Sequence, residues 1–253
     1  GIETIEKISN ENIKSSVVKI INEEGEKAIG KPIGTYVTVD IKNLRLADDD
    51  EIENASNIIS EELASIVDEK IGKQDEILVV GLGNQFVTPD ALGPKVSQEI
   101  EVTRHLLKYA PECVIKGARS VCTIAPGVLG TTGRISSTIQ ISDTGIVPGA
   151  GVGNTRKELS KNTLGVPVIA IGVPMVVDLA TITNDCLNIF IENLQNQAKS
   201  NDYLNNLKNQ DNYEEIKTAL NPRDYNMIVT PKEVDDLIEN MKNIVAKSIN
   251  YAI

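Results

Sequence analysis

The chain has 253 residues, 41% of them apolar, and a formal net charge of −11. That length and apolar share suit the core of one large α/β domain, so we predict a single domain over residues 1–253. No basic run gathers phosphates, which argues against a nucleic acid partner. No apolar stretch is long enough to span a membrane, and we expect a soluble, cytoplasmic protein.

Cysteine and histidine are too sparse for the common metal and triad chemistries. Cys113, Cys122 and Cys186 are odd in number and lack metal-ligand spacing, which argues against a disulfide framework and a zinc site. We interpret them as small buried hydrophobic residues. The single histidine, His105, lies on a predicted helix beside apolar residues, so we interpret it as non-functional. Catalysis is therefore expected to rest on carboxylates, without a metal or another cofactor.

The first third of the chain predicts strands followed by one long helix. The segments SSVVKII and GTYVTVDI are β-branched and flanked by turn residues, which predicts a small β region near the N-terminus. Residues 48–72 follow, with apolar residues three and four apart, acids at the start and Gly72 at the end. This pattern predicts an amphipathic helix.

From residue 76 onward, strand-like and helix-like segments alternate. EILVVGLG is continuously apolar, which is typical of a parallel strand covered on both faces, and residues 91–110 are predicted to form one helix. Two further strands, STIQISDTGI and PVIAIGV, precede a helix that begins in VVDLATIT. This alternation predicts an α/β fold with a mostly parallel, doubly wound sheet and helices on both sides.

The C-terminal part combines a polar interruption with a well-marked helix. Residues 195–212 are rich in Asn, Gln, Lys and Asp and are predicted to be a surface or mobile insertion. Thr230 as cap, Pro231 at the first helical position and Glu233 form a capping-box signature before an apolar stripe. We therefore predict a C-terminal helix starting at Pro231.

Asp90 is the first candidate site residue. It lies in the loop after the apolar strand that ends at Gly81, where ligands collect in open parallel sheets. The alternative is that Asp90 only caps the helix starting near Ala91, and that Gly81 and Gly83 only permit a tight turn. GLGNQF and GAGVGN both lack the residues that complete a nucleotide-binding motif.

Two other acids occupy similar positions. Asp143 ends a strand before a glycine-rich run that leads to Arg156, and Asp178 ends another strand before a helix. Three strand ends of one sheet would bring Asp90, Asp143 and Asp178 toward one cleft. Each is equally explained as a cap or turn residue, and that explanation is favoured for Asp178.

Longer motifs identify a family. The segments GLGNQFVTPDALGP, IAPGVLGTTG, STIQISDTGIVPGAGVGNTRKELSKNTLGVPVIAIGVPMVVDLATIT and VTPKEVDDLIENM resemble the germination protease of spore-forming bacteria. This resemblance covers most of the chain from about Val17. It implies an α/β/α sandwich of three layers, similar to the hydrogenase-maturation peptidases. It also implies an endopeptidase of small acid-soluble spore proteins in the spore core, made as a zymogen and assembled as a homo-tetramer.

The resemblance further implies an aspartic-type mechanism with two aspartates, one of which matches Asp90. The second belongs to an Asp-Ala-Leu-Ala motif expected between LGTTG and STIQIS, and here Gly133 is followed directly by Arg134. Either the protein has residues at this junction that the numbering does not include, or the segment is deleted, which should abolish activity. We favour the first explanation, because losing a central strand would leave backbone polar groups unsatisfied.

Two carboxylates that share a proton can activate water and protonate the scissile amide. The hypothesis is therefore that Asp90 is half of such a pair, with the aspartate of the missing segment as its partner and Asp143 as a secondary candidate. The amides of Gly83 and Asn84 are candidate oxyanion donors, and Arg156 is a candidate substrate-binding residue. Two alternatives stay open: a metal-dependent peptidase on the same fold, and a spore protein that binds peptides without cleaving them.

Overall fold

A computed structural model of the chain describes residues 1–8, 11–127, 138–147, 157–197, 213–220 and 227–253. The fold is mixed α/β. In chain order the elements are β1 (Ile2–Ile8), β2 (Ile13–Ile20), α1 (Glu23–Ile29), β3 (Gly34–Ile41), α2 (Asp49–Lys70), β4 (Ile77–Val80), α3 (Leu92–Gln98), α4 (Arg104–Tyr109), β5 (Val121–Ile124), β6 (Thr138–Ser142), α5 (Lys161–Leu164), β7 (Ala170–Gly172), β8 (Val177–Asp178), α6 (Leu179–Gln197), α7 (Tyr213–Leu220), β9 (Ile228–Val229) and α8 (Val234–Ala252). No helix within the described ranges carries an apolar stretch long enough to cross a membrane.

The largest sheet is antiparallel. Its strand order is β1-β2-β3-β6-β7, and every neighbouring pair runs antiparallel. The parallel pairing in the described residues joins β4 and β5 in a separate two-stranded sheet, and β8 pairs with β9 in a third. A mostly parallel doubly wound sheet is therefore not confirmed, because β6 and β7 extend the N-terminal strands and not β4.

One face of the antiparallel sheet forms one side of the hydrophobic core. Val37, Val39, Ile139 and Ile141 on β3 and β6 are each at most 1% exposed. Their positions alternate along the strands, because successive side chains of a strand point to opposite faces. The helices α2 and α8 pack against each other and contribute most of the remaining core residues.

The helix over residues 48–72 is confirmed as α2. Asp48 Oδ1 accepts a hydrogen bond from Glu51 N–H at 2.9 Å, and the Glu51 carboxylate accepts one from Asp48 N–H at 3.3 Å, which makes a capping box. The stripe at three- and four-residue spacing is buried, with Ala55 at 0% and Ile59 at 1% exposure. Local sequence and tertiary packing agree in this helix.

The C-terminal helix is confirmed, but its predicted start is wrong. α8 begins at Val234 with Glu233 at the cap position and without a side-chain cap hydrogen bond. The Thr230 hydroxyl donates instead to the Pro231 carbonyl at 3.2 Å. Residues 228–229 form β9, which pairs with β8, and this pairing takes the chain before α8 out of helical geometry.

The helix predicted over residues 91–110 is divided into α3 and α4. The side chain of Asn250 on α8 donates to the Glu99 carbonyl and accepts from the Glu101 N–H, each at 3.0 Å. The hydroxyl of Thr103 accepts from Val121 N–H at 2.9 Å, which ties the start of α4 to β5. These contacts with distant residues replace the helical hydrogen bonds that a continuous helix would make.

Two further regions depart from the sequence analysis. The first strand, β1, was not predicted, because the isoleucines of IETIEKI are spaced by three and do not alternate. It forms an edge of the sheet, where Lys7 Nζ lies 2.6 Å from Glu62 Oε1 of α2. The predicted insertion at residues 195–212 lies outside the described residues from 198 onward, and 195–197 end α6.

Candidate active site

Three glycines bring the loop after β4 against the start of α3. A Cβ added to Gly81 would lie 2.2 Å from the Gly93 carbonyl oxygen, and one added to Gly93 would lie 2.1 Å from the Leu82 oxygen. Gly83 has a φ of +139° and would place a Cβ 2.0 Å from the Asp90 oxygen. Only glycine fits these close backbone approaches. The loop that contains Asp90 therefore has its shape fixed by backbone packing.

Asp90 closes this loop. Its Oδ2 accepts a hydrogen bond from Asn84 N–H at 3.0 Å, and its carbonyl oxygen accepts from the same N–H at 3.0 Å. The Asp90 amide donates to Val87 O at 2.8 Å in a short 3₁₀ turn over Thr88–Asp90. The cap residue of α3 is Ala91, which makes no side-chain cap hydrogen bond, so the interpretation of Asp90 as the helix cap is wrong.

The two predicted oxyanion donors differ in their hydrogen bonds. Asn84 N–H already donates to Asp90, and Asn84 Oδ1 accepts from Phe86 N–H at 3.0 Å, so the side chain and amide of Asn84 both hold the loop together. Gly83 N–H makes no hydrogen bond to another residue of the described ranges. Arg156 lies outside the described residues, as do Gly133 and Arg134.

Asp143 lies directly after β6 and is engaged by two groups. Its Oδ1 accepts from Thr35 N–H at 2.7 Å, and its Oδ2 lies 3.0 Å from Lys70 Nζ at the end of α2. The Asp143 side chain is 4% exposed, whereas that of Lys70 is 37% exposed. Hydrogen bonds to Glu69 and then to Asp143 raise the pKa of Lys70. Asp143 thus ties together the ends of two strands and a helix.

Asp178 is the N-cap of α6, as favoured from the sequence. Its Oδ1 accepts from Thr181 N–H at 2.9 Å, its Oδ2 accepts from the Thr181 hydroxyl, and the Tyr213 hydroxyl lies 3.4 Å away. The residue is only 8% exposed. Its polar atoms are therefore used by the fold.

The three acids do not follow strands of one sheet, and that premise of the sequence analysis is wrong. Asp90 follows β4 of the parallel pair, Asp143 follows β6 of the antiparallel sheet, and Asp178 belongs to β8 of the third sheet. In the part of the chain that the structure describes, no three His, Cys, Asp or Glu residues form a cluster suited to a metal ion.

A concavity on the outer face of the antiparallel sheet had no signal in the sequence. It has a volume of about 290 Å³, and its lining includes Tyr36, Thr38, Gln140, Ser142 and Thr144. Burial is the main cause that raises the pKa of the Tyr36 hydroxyl. None of the lining residues comes from the Asp90 loop. The residues face outward because they alternate with the core positions of β3 and β6, which is visible only once the register is known.

The remaining candidates are surface residues. His105 is exposed on α4, and its interpretation as non-functional stays a prediction. Cys113 and Cys186 are exposed and Cys122 is half-buried. The prediction that all three cysteines are buried is therefore wrong for Cys113 and Cys186. Cys113 ends a short 3₁₀ turn over Pro111–Cys113, and Cys186 lies on the solvent side of α6, which sequence spacing does not reveal.

Comparison with known proteins places the chain among peptidases. A model of the family described as Germination protease matches residues 1–137, 133–206 and 192–253. Together these matches cover the whole chain, and the chain belongs to the germination protease family.

Individual relatives agree. The germination protease of Clostridium perfringens is 42% identical over 288 positions, covering 100% of this chain and 88% of the relative. That of Clostridium acetobutylicum is 43% identical over 279 positions, covering 96% of this chain and 85% of the relative. That of Bacillus mycoides is 36% identical over 300 positions, covering 92% of this chain and 82% of the relative.

The alignments are longer than the chain. The 288 positions of the Clostridium perfringens alignment exceed the 253 residues of this chain by 35, so the relative has residues that this chain lacks. The family match has three parts, which overlap at residues 133–137 and at residues 192–206. The first overlap contains the junction of Gly133 and Arg134.

Proposed function

We propose that this chain is an endopeptidase that cleaves small acid-soluble spore proteins during germination, with Asp90 as its acid–base residue. The observation that carries the proposal is the fixed position of the Asp90 carboxylate in a loop shaped by Gly81, Gly83 and Gly93. Membership of a protease family supports the reaction class. The substrate and the aspartic-type mechanism are part of the proposal.

Asp90 is suited to orienting water at a peptide bond. A backbone N–H holds its Oδ2, which restricts the orientation of the carboxylate before substrate binds, and preorganised groups cost little at the moment of reaction. Water attack on an amide also requires a proton donor to the leaving nitrogen. A second carboxyl group close to Asp90 would supply this proton, because two like charges held together favour sharing one.

The second carboxyl group has two candidate sources. The assignment of Asp143 stays a prediction, but its ion pair with Lys70 and its hydrogen bond from Thr35 favour a structural role. The proposal therefore relies on the second aspartate that the family resemblance implies between LGTTG and STIQIS, in a segment that a cleaving chain must carry.

Other atoms of the loop suit substrate binding. Gly83 N–H is the proposed donor to the developing oxyanion, since Asn84 N–H is engaged by Asp90. Phe86 is 86% exposed and Val87 is 46% exposed in the same loop, which gives apolar contacts for substrate side chains beside the carboxylate. Arg156 remains a proposed contact to the substrate.

The test compares Asp90→Asn with Asp143→Asn. Asp90→Asn should retain the unfolding midpoint of the parent chain and lose cleavage of a purified small acid-soluble spore protein, followed by mass spectrometry. Asp143→Asn should lower the unfolding midpoint, because it removes the charge that pairs with Lys70. An Asp90→Asn chain that cleaves at the parental rate contradicts the assignment of Asp90 as the acid–base residue. An Asp143→Asn chain that is stable but inactive makes Asp143 the second catalytic acid.

A second candidate function is binding of the spore protein without cleavage. The length by which the relatives exceed this chain favours it, because a chain without the second acid binds substrate but cannot protonate the leaving group. Fluorescence anisotropy with the labelled spore protein, combined with the cleavage assay, separates the two functions. Binding without cleavage, before and after N-terminal shortening, supports the second function and overturns the first.

The physiological setting belongs to the same proposal. We place the protein in the spore core, as a zymogen shortened at its N-terminus and assembled as a homo-tetramer. Sedimentation equilibrium gives the assembly directly. Cleavage that starts only after N-terminal shortening is the expected sign of the zymogen.

A further inference from the structure

The strand β1 leaves a long edge of the antiparallel sheet open. In the described ranges β1 pairs with β2 alone, and every residue of Ile2–Ile8 is exposed. An open edge presents a row of backbone N–H and C=O groups to other strands, and proteins usually protect it with proline, a bulge or lysine. β1 contains no proline or glycine, and Lys7 Nζ is already 2.6 Å from Glu62 Oε1. This edge is therefore suited to pairing with another strand.

The hydrogen bonds of the β1–β2 ladder show which backbone groups of β1 point outward. Ile21 N–H donates to Gly1 O at 3.0 Å, so these two residues form a hydrogen-bonded pair of the ladder. Hydrogen-bonded and non-hydrogen-bonded pairs alternate along antiparallel strands. The backbone groups of Glu3, Ile5 and Lys7 therefore face β2. Those that point to the open edge belong to the alternate residues Ile2, Thr4, Glu6 and Ile8.

The sequence of β1 is complementary to itself when two copies run antiparallel. With Ile5 opposite Ile5 of a second copy, the outward-pointing backbone groups of the two strands meet in hydrogen-bonded pairs. The same register places Glu3 of each copy opposite Lys7 of the other, and Ile2 of each copy opposite Ile8 of the other. Opposite charges and apolar side chains that face each other directly stabilise antiparallel strands. The partner that fits this edge is thus a second copy of the same strand.

The nearest alternative registers lack this complementarity. The registers that also join outward-pointing backbone groups shift one strand by two residues in either direction. One of these shifts places Glu6 opposite Glu6, and both place Ile5 opposite a charged residue. Like charges that face each other directly are destabilising. The side chains therefore favour the register centred on Ile5.

The core face of the sheet also continues across this pair. The strand registers align Ile5 with Val17, Val37 and Ile141 in one row across the sheet. The three inner members of the row are at most 6% exposed, whereas Ile5 is 52% exposed. A second Ile5 extends this row and removes the exposed side chain from water, which stabilises the pair.

We infer that β1 is a self-pairing surface, at which two copies of this chain join edge to edge and antiparallel with Ile5 on the two-fold axis. The contact is isologous, and the two five-stranded sheets form one continuous sheet across it. Lys7 then lies between Glu62 of its own chain and Glu3 of the second copy. This surface involves no residue of the Asp90 loop, and it does not depend on the number of subunits in the assembly.

A proline at Thr4 tests the hydrogen bonds of this edge. Thr4→Pro removes an N–H that points away from β2, so the β1–β2 ladder keeps its hydrogen bonds. In sedimentation equilibrium the parent chain should self-associate, and Thr4→Pro should weaken that association by about tenfold or more. Thr4→Ala keeps the N–H and should associate like the parent.

Two results of this experiment contradict the inference. One is a folded Thr4→Pro chain that associates as strongly as the parent, because another surface then joins the copies. The other is a parent chain that stays monomeric. A monomeric parent whose cleavage of the spore protein is lost in Thr4→Pro would assign this edge to the substrate and not to a second copy.

Cysteines placed on β1 test the register. Ile5→Cys and Ile8→Cys are each made in a chain whose three native cysteines are replaced by serine. Position 5 faces itself across the two-fold axis at a Cα separation that a disulfide can bridge, whereas position 8 faces Ile2. On mild oxidation, Ile5→Cys should form a linked dimer about tenfold faster or more than Ile8→Cys, although Ile8 is the more exposed residue at 76%.

Equal rates of linkage at the two positions overturn the inference, whether or not Thr4→Pro folds. Faster linkage at position 8 overturns it as well. Neither sedimentation nor linkage requires peptidase activity, so the inference and the proposed function fail independently.

Discussion

The antiparallel sheet and the parallel β4–β5 pair differ in how completely their apolar faces are covered. In the antiparallel sheet, Val39 and Ile139 are fully buried beneath α2 and α8. In the parallel pair, only one face packs against the core, while Leu78 and Ile124 of the other face are about half exposed. Within the described residues, helices cover the apolar face of β3 and β6, whereas the outer face of β4 and β5 is about half exposed.

In these two regions the composition of a strand and the burial of its side chains do not agree equally well. β3 alternates polar and apolar residues and has one buried face, as expected of an antiparallel strand. β4 is apolar at every position, although only every second residue is sheltered. A strand of this composition is typical of a sheet with a layer on each side, and in the described residues one face of β4 is about half exposed. The loop that follows this strand carries Asp90.

The largest expected effect comes from truncating each region. Ile238→Ala, at a fully buried position of α8, should lower the free energy of unfolding by about 2–5 kcal/mol. Leu78→Ala should cost about 1 kcal/mol or less, because more than half of the side chain already contacts solvent. Urea denaturation of both variants measures the difference. Equal losses would show that the outer face of β4 is covered in solution.

A smaller effect is expected from backbone strain in the parallel region. Gly83→Ala forces a Cβ into the Asp90 carbonyl at a φ of +139° and should cost about 2–3 kcal/mol. It should also reduce cleavage by displacing Asp90. Gly172→Ala in β7 is the matched control, since a Cβ added at Gly172 would have no atom within 4 Å. Thermal unfolding of the pair checks this, and a neutral Gly83→Ala variant would contradict the loop geometry.

The next effect concerns the ion pair at the end of the antiparallel sheet. Lys70→Met leaves the buried Asp143 carboxylate without its cation and should cost about 1–2 kcal/mol, reduced from a fully buried pair because Lys70 is partly solvated. Glu69→Gln removes only an exposed partner and should have little effect. Since Glu69 and Asp143 raise the pKa of Lys70 above 10.5, its contribution is complete below that pH and is lost as pH rises through the raised value. Denaturation at pH 8 and 11 would test both statements.

The smallest effect concerns the contact between the two regions. Glu239 of α8 lies 3.2 Å from Lys95 of α3, and hydrogen bonds from Lys242 and then Lys95 lower the pKa of Glu239 below 4.5. A lowered carboxyl pKa stabilises the fold above pH 4.5, and this contribution is lost as pH falls through the lowered value. In Glu239→Gln, the free energy of unfolding should therefore fall less on acidification than in the parent chain, by about 0.5 kcal/mol or less, since the pair is exposed. An unchanged acid limb would mean that the pair adds nothing in solution.

The sequence predicted those elements whose signals are local. α2 has its acidic start and its apolar stripe within one segment, and β3 has its alternation and flanking turn residues within another, so both were predicted close to their observed bounds. Asp90 became a candidate site residue for a comparable reason, because the strand, the glycines and the acid lie within one short stretch.

Tertiary structure decided what depends on contacts between distant residues. Asn250 divides the helix predicted over residues 91–110, and β6 joins β3 and not β4, so the strand ends that carry Asp90 and Asp143 belong to different sheets. Strand pairing and side-chain bridges depend on where distant segments meet, and the periodicity of one segment contains no information about its partner. The amino-acid sequence thus determined the elements with strong local signals, such as α2 and β3, and which loop carries the candidate acid. The fold determined which strands are neighbours and which apolar face of β4 is left exposed.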